Sequence, residues 1–241
     1  MLRLFVPSAQ REGPLIRVTG NELRHLRTLR LGAGARLVVF DEQGNEHEAR
    51  VERVGARLAE VVVHATHRPE RESALDLVLA PALLKGNKMD LVVEKAVELG
   101  VRRIAPIATR HTLGAASRAE RWRRIALAAA KQSGRTSVPA IDEPVPLDRL
   151  VRAPWPGLRL IAWEDEQEQP LDAVPVPAEA VVIVVGPEGG FAEDEVQDAR
   201  AHGFTSVTLA PRVLRAETAA IIAAALCQHR WGDLSTARRL G

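Results

Sequence analysis

The stretch VVIVVGPEGGFAEDE, Val181–Glu195, decides the fold. Its five opening residues are all β-branched and apolar, too short a run for a membrane span, and read as a strand buried on both faces. The strand runs straight into a glycine-rich turn carrying Gly186, Gly189 and Gly190. A helix follows whose first turn holds Glu193, Asp194 and Glu195, acids that suit the positive end of a helix dipole. Strand, tight turn and helix in that order are the repeating unit of a parallel α/β sheet.

The same alternation extends outward from this stretch. Strands are predicted at LDLVLAPAL (75–83), VRRIAPIAT (101–109), LRLIAWED (158–165), AVVIVVG (180–186) and SVTLA (206–210). Helices are predicted at 87–100, 120–134, 191–203 and 215–231. Asn87 is expected to cap the first helix and Gly100 to end it. The Pro-rich stretches 139–156 and 170–177 read as loops. From residue 75 onward the prediction is an α/β sheet covered on both faces.

Residues 1–70 follow a different pattern. LRLFVP (2–7), RLVVFD (36–41), HEARVERV (47–54) and RLAEVVVHAT (57–66) alternate apolar and polar positions, as half-buried strands do. QGN at 43–45 reads as a turn. GNELRHLRTLRL (20–31) reads as a short helix, with Leu23, Leu26, Leu29 and Leu31 on one side and Arg24, Arg27 and Arg30 on the other. HRPERES (67–73) reads as a linker.

Composition narrows the function classes. The 241 residues are 46% apolar and 27% charged, ordinary globular values that exclude a disordered chain. No apolar run approaches the ~20 residues of a membrane helix, and MLRLFVPSAQRE has no apolar stretch long enough for a signal peptide. The single cysteine, Cys227, excludes an internal disulfide framework and a thiolate zinc site. The seven histidines show no paired-ligand spacing. The expectation is a cytoplasmic protein without membrane or metal. Net charge is only +2, but its distribution is uneven. Residues 1–36 hold seven arginines against Glu12 and Glu22, and 109–135 hold seven basic side chains against Glu120. Residues 164–200 hold eleven acids against Arg200. Two basic zones on a near-neutral chain suggest an anionic partner.

Three places could carry chemistry. The turn at 186–190 lacks the lysine of a P-loop and the G-x-G-x-x-G spacing, and Glu188 inside it would repel a pyrophosphate. It suits a neutral or cationic ligand, and equally a plain tight turn. TLAPRVLRAETAAIIAAAL (208–226) is a second strand, turn and helix. Arg212 and Arg215 stand at its helix N-terminus, against the dipole, and Glu217 and Thr218 follow; Cys227 reads as a small buried group. AAKQSGRTSVP (129–139) gathers Gln132, Ser133, Arg135, Thr136 and Ser137, either as a polar helix cap or as contacts to phosphate and base. Lys85 and Lys88 flank Gly86 after another strand.

Nearly end to end, the chain resembles the RsmE-type 16S ribosomal RNA uridine methyltransferases of the SPOUT, or trefoil-knot, superfamily, which modify ring nitrogen 3. The resemblance rests on LRLFVP at 2–7, GNELRHLRTLRL at 20–31, KGNKMDLVVEKAVELGV at 85–101 and ERWRRIALAAAKQSGR at 120–135, and on VVGPEGGFAEDE at 184–195 and LAPRVLRAETAA at 209–220. The order and spacing of the last three are the specific part. Where the family usually has LGxRVLRxETA, Leu209 is here followed by Ala210 and Pro211, so that Ala210 replaces the glycine.

The resemblance implies a PUA-like β-barrel at 1–70, a knotted α/β methyltransferase domain at 73–241, and a homodimer. It implies S-adenosylmethionine held by Trp163, by Val185, Gly186, Pro187, Glu188, Gly189 and Gly190, and by Leu209, Ala210, Pro211, Val213, Leu214 and Thr218. It implies 16S ribosomal RNA of the small subunit held by Arg3, Arg24, Arg27, Arg30, Lys85, Lys88, Arg123, Arg124, Gln132 and Arg135. Removing the uracil N–H proton spreads charge onto two carbonyl oxygens, so cationic donors and a base are needed. Arg135 and Arg215 are the expected donors. Glu217 is the expected base, unless it serves only as a first-turn helix acid. Competing readings are an inactive RNA-binding assembly protein, a methyltransferase for another nucleotide, and a nucleotide-phosphate enzyme at 186–190.

Overall fold

The computed structural model describes residues 1–112, 118–175 and 179–235. Residues 113–117 of the basic zone, 176 and 177 of the second Pro-rich stretch, and the end of the predicted second domain from 236 lie outside the described residues. The chain divides into two compact units, Met1–Glu72 with Ala130–Val138, and Ser73–Ala129 with Pro139–Gly241.

In the first unit, β1 (Leu2–Phe5), β2 (Arg11–Glu12), β3 (Leu15–Val18), α1 (Gly20–Thr28), β4 (Arg36–Phe40), β5 (Glu46–Val54) and β6 (Ala59–His67) follow in order. The strands form one sheet, β1-β4-β5-β6-β3-β2, antiparallel except for β1 beside β4. Two register shifts between β5 and β6 add local twist and curl the sheet. Its concave side is the core: Leu4, Val18, Leu37, Val39, Val51 and Val61 pack there, with Leu23 and Leu26 of α1 over them. The QGN turn forms because the buried Asp41 carboxylate accepts the N–H of Gln43 at 2.9 Å and of Asn45 at 3.0 Å. Helix α1 stops earlier than its leucine pattern suggests. Arg30 takes a left-handed φ of 53° and the Leu31 N–H returns to the Leu26 carbonyl. Leu29 is therefore 49% exposed, not on the buried side, and Arg30 leaves the helix face it was expected to share with Arg24 and Arg27. Strand β3 went unrecognised in the sequence.

Ala130–Val138 is tied to the first unit by acids. Glu72 accepts from Arg135 Nε at 3.0 Å and Nη2 at 2.7 Å, and from the N–H groups of Thr136 at 2.9 Å and Ser137 at 3.1 Å. Arg3 pairs with Glu46 at 2.5 Å and donates to the Arg135 carbonyl at 2.9 Å. Arg71 pairs with the same Glu46 and reaches the Gly134 carbonyl. Lys131 pairs with Glu22 at 2.8 Å.

The second unit runs β7 (Asp76–Pro81), α2 (Lys88–Glu98), β8 (Arg103–Ile104), β9 (Ile107–Ala108), α3 (Ala119–Ser133), β10 (Ala140–Ile141), β11 (Val145–Pro146) and α4 (Leu147–Val151). It continues through β12 (Leu158–Ala162), β13 (Ala180–Val185), α5 (Glu193–Ala201), β14 (Thr205–Val207) and α6 (Ala216–Trp231). The main sheet is wholly parallel, in the order β10-β8-β7-β13-β12-β14, with β9 and β11 as a separate pair. Val78, Ala80, Val182, Val184 and Ile161 face α4 and α5. The alternate residues, such as Leu77 and Ile183, face the other side, where α6 packs on β7, β13 and α2. This is why the strands read as continuous apolar runs.

Several predicted features differ. Asn87 makes no side-chain cap bond; only its carbonyl enters α2, accepting from the Leu91 N–H. Gly100 does end α2, with φ 78° and the Val101 N–H returning to the Ala96 carbonyl. The strand predicted at 101–109 is two short strands, because Pro106 cannot donate to a ladder. The loop predicted at 139–156 contains β10, β11 and α4, the last beginning directly after Pro146. Among the described residues no helix is long and apolar enough to cross a membrane.

Candidate functional site

The parallel sheet leaves its crevice at the C-terminal strand ends, and β12, β13 and β14 open there on one cavity of about 370 Å³. From the end of β12 come Ala162, Trp163 and Glu164. The Trp163 N–H bonds the Val207 carbonyl at 3.1 Å, fixing the residue at the sheet edge. Its ring is stacked by the Arg200 guanidinium at 5.3 Å. Arg200 is held in turn by Glu166 at 2.9 Å and Ser206 at 2.6 Å.

From β13 come Val185, Gly186, Pro187, Glu188 and Gly190. The turn is fixed from both sides. A Cβ on Gly186 would come within 3.0 Å of the Phe191 ring, and Gly190 has φ 69°, a left-handed conformation natural to glycine. The Glu195 carboxylate accepts from the Ala192 N–H at 2.9 Å and the Arg110 N–H at 2.8 Å, anchoring the start of α5. Gly189 faces away from the cavity; its Cβ position lies 3.1 Å from His111 Cβ. From the segment after β14 come Thr208, Leu209, Ala210, Arg212, Val213, Leu214 and Arg215, and from α6 Ala216 and Ala219.

Most of the residues expected at the cofactor are thus brought together. Gly189, Pro211 and Thr218 do not line the cavity. Ala162, Glu164, Thr208, Ala216 and Ala219 line it and were not named from the sequence, and Arg212, singled out there only for its place at the helix N-terminus, lines it as well. The signal for Arg212 was its place beside Arg215. Glu164 had none, being one acid in an acid-rich stretch.

The charges have a definite arrangement. Lys88 enters from α2 and reaches Glu188 at 3.1 Å and Glu217 at 3.3 Å. The hydrogen bond to Glu188 leads in raising the Lys88 ammonium above its ordinary range. Desolvation pushes the Glu188 carboxyl up, but its own N–H and Lys88 outweigh this and leave it below the usual carboxylate range. The pair is therefore ionised across neutral pH. Glu217 is 13% exposed and does not line the cavity. Arg212 and Arg215 are exposed, and among the described residues neither guanidinium has an acidic partner.

Two side chains expected to be open donors are engaged within the first unit. Arg135 is not an open donor. Its side chain is 6% exposed, and Glu72 occupies the guanidinium. Arg3 is not a free RNA contact. It is 14% exposed, paired with Glu46 and stacked on Phe40 at 5.1 Å. Lys88 and Arg123 are also engaged, Arg123 with Glu143 at 3.0 Å. Arg24, Arg27, Arg30, Lys85, Arg124 and Gln132 are exposed.

Comparison with known proteins gives the family. An RNA methyltransferase domain matches residues 71–228, and an RNA methyltransferase PUA domain matches 18–63. The chain is 31% identical over 237 residues to ribosomal RNA small subunit methyltransferase E of Mesomycoplasma hyopneumoniae, covering 94% of this chain and 99% of that protein. It superimposes with TM-score 0.91 on ribosomal RNA small subunit methyltransferase E from Neisseria gonorrhoeae bound to S-adenosylmethionine, at 34% identity, over 98% of this chain and 100% of that one. A Legionella pneumophila methyltransferase solved with the bound cofactor SAM gives TM-score 0.89 and 34% identity, over 97% of this chain and 99% of that one. Matched by an RNA methyltransferase domain over residues 71–228 and by such relatives along nearly its whole length, the chain belongs to the ribosomal RNA small subunit methyltransferase E family.

Proposed function

We propose that the chain transfers a methyl group from S-adenosylmethionine to ring nitrogen 3 of one uridine in 16S ribosomal RNA of the small subunit. The observation that carries this is the cavity formed by the 186–190 turn and the 208–215 segment, in a chain of this family. Its residues fit such a cofactor. Backbone is exposed where glycines stand, Trp163 offers a flat face, and Leu209 and Leu214 are apolar. Lys88, Glu188, Arg212 and Arg215 can meet a zwitterionic end.

When bound, the cofactor supplies a methyl group already activated by a sulfonium. The chain's own residues orient and exclude water. Arg215, with Arg212 beside it, donates to the carbonyl oxygens that gain charge as the N–H proton leaves. The acceptor of that proton is Glu217, through Oε1, because Oε2 is buried against Lys88. Arg24, Arg27, Arg30, Lys85, Arg124 and Gln132 bind the RNA.

The working form is a cytoplasmic homodimer, divided at 1–70 and 73–241, with the second part threaded as a trefoil knot. Helix α6 supports the two-fold interface: Ile221, Ile222, Ala225 and Leu226 are only half-buried, and an apolar helix face needs a cover. Val213, 84% exposed, is the nearby apolar residue most in need of one. Titration with S-adenosylmethionine and with ATP tests the cofactor; binding ATP in its place defeats the proposal. Mass spectrometry of ribosomal RNA nucleosides from wild-type and deletion cells tests the product. An unchanged N3-methyluridine content would reject it.

A further inference from the structure

Glu164 is the acid of the cavity that the proposed function leaves without a role. It stands two residues beyond β12, on the strand adjacent to the one carrying the glycine turn, and Ala162 pairs with Val185 across that boundary. Its carboxylate lies against the turn: a Cβ on Gly190 would overlap Glu164 Oε1. Glu188 and Glu217, by contrast, share Lys88. Among the described residues Glu164 has no hydrogen-bond or ion-pair partner, although it lines the cavity.

A glycine turn at one strand end and a carboxylate at the next is how α/β folds divide a nucleoside ligand. Backbone meets the part that must approach closely, and the carboxylate accepts the ribose hydroxyls. The mixed-charge side of this cavity, Lys88 with Glu188 and the free Arg212 and Arg215, already suits an amino-acid end. An unpaired carboxylate on the other strand suits two neutral O–H donors, each forming a charge-assisted bond. We infer that Glu164 accepts the 2′- and 3′-hydroxyls of the cofactor's ribose and makes the cavity selective for ribonucleosides. This rests on the cofactor reading above.

The test is a binding cycle on the full chain and Glu164→Gln, with S-adenosylmethionine, adenosine and 2′,3′-dideoxyadenosine as probes. The glutamine side chain is isosteric and exposed, so folding is checked by an unchanged thermal midpoint. Expected is a roughly ten- to hundredfold loss for S-adenosylmethionine and for adenosine, and equal affinity of both proteins for the dideoxynucleoside. An equal loss for adenosine and dideoxyadenosine overturns the inference. So does a loss confined to S-adenosylmethionine, which would put Glu164 at the amino-acid end. If wild type binds adenosine but not S-adenosylmethionine, the methyltransferase reading falls, while the adenosine comparison still decides the role of Glu164.

Discussion

Glu72→Ala should loosen the 135–137 turn and destabilise the first unit by about 4 kcal/mol. Removing one partner of a buried ion pair costs about 3–5 kcal/mol. Arg135 is 6% exposed and Glu72 20%, so some water reaches the pair and the lower end of that range applies. Losing the bonds to the Thr136 and Ser137 N–H groups adds about 1 kcal/mol, because the half-buried Ser137 regains water. For a chain of 241 residues the total lowers the melting temperature by roughly 8–16 °C. Desolvation pushes the Glu72 carboxyl up, but the Arg135 hydrogen bond and charge leave it below its ordinary value of 4.5. Its contribution is therefore complete above that value and lost as pH falls through the lowered one. The assay is urea unfolding at pH 7 and at pH 4, with hydrogen exchange at residues 134–138. A double variant, Glu72→Leu with Arg135→Met, should recover most of the loss, since it leaves no unpaired charge. If Glu72→Ala lies within 1 kcal/mol of wild type with exchange at 135–137 unchanged, the account of this tie is wrong.

Three further outcomes are expected. Burial pushes the Cys227 thiol up to about 12, so a thiol reagent at pH 8 should label it only in denaturant; rapid labelling of native protein would contradict its buried position. Arg215→Ala should lower kcat at saturating cofactor by roughly a hundred- to a thousandfold, as loss of an oxyanion donor does, beyond any loss of cofactor affinity; an unchanged kcat at saturation would make it a binding residue only. Replacing Arg24, Arg27 and Arg30 with Ala should reduce the salt dependence of RNA binding by up to about three counterions, each worth a slope near 0.9 or somewhat less. An unchanged slope would mark those arginines as solvated surface.

Legibility followed the range of the interactions. Val181–Val185, Gly186–Gly190 and the α5 acids are local signals, and they put the crevice and its main wall in view before any contact was known. Residues 209–215 did the same for the opposite wall. Helix α4 was missed because five residues after a proline-rich run carry too little periodicity, although Leu147, Leu150 and Val151 are all buried. Leu29 was misplaced because the left-handed turn at Arg30 has no glycine to announce it. Arg135 and Arg3 looked like RNA ligands because their partners, Glu72 and Glu46, lie far away in sequence. The same holds for Glu164, whose meaning depends on a neighbouring strand.

The first unit is built from two separate lengths of chain, and α3 supplies the start of the second, with residues 119–129 grouped in one unit and 130–133 in the other. No single scissor cut can therefore release either half intact. A gene fragment ending at Glu72 would carry that carboxylate and Glu46 to the surface without the turn they were made to hold, and its complement would trail Arg135 as a stray charge on a frayed helix end. Fragments made this way should be sticky and poorly soluble. A transplantable version of the β-sheet unit needs residues 130–138 grafted back through an artificial loop, and a chimera that exchanges the sheet between relatives must exchange that nine-residue strap with it.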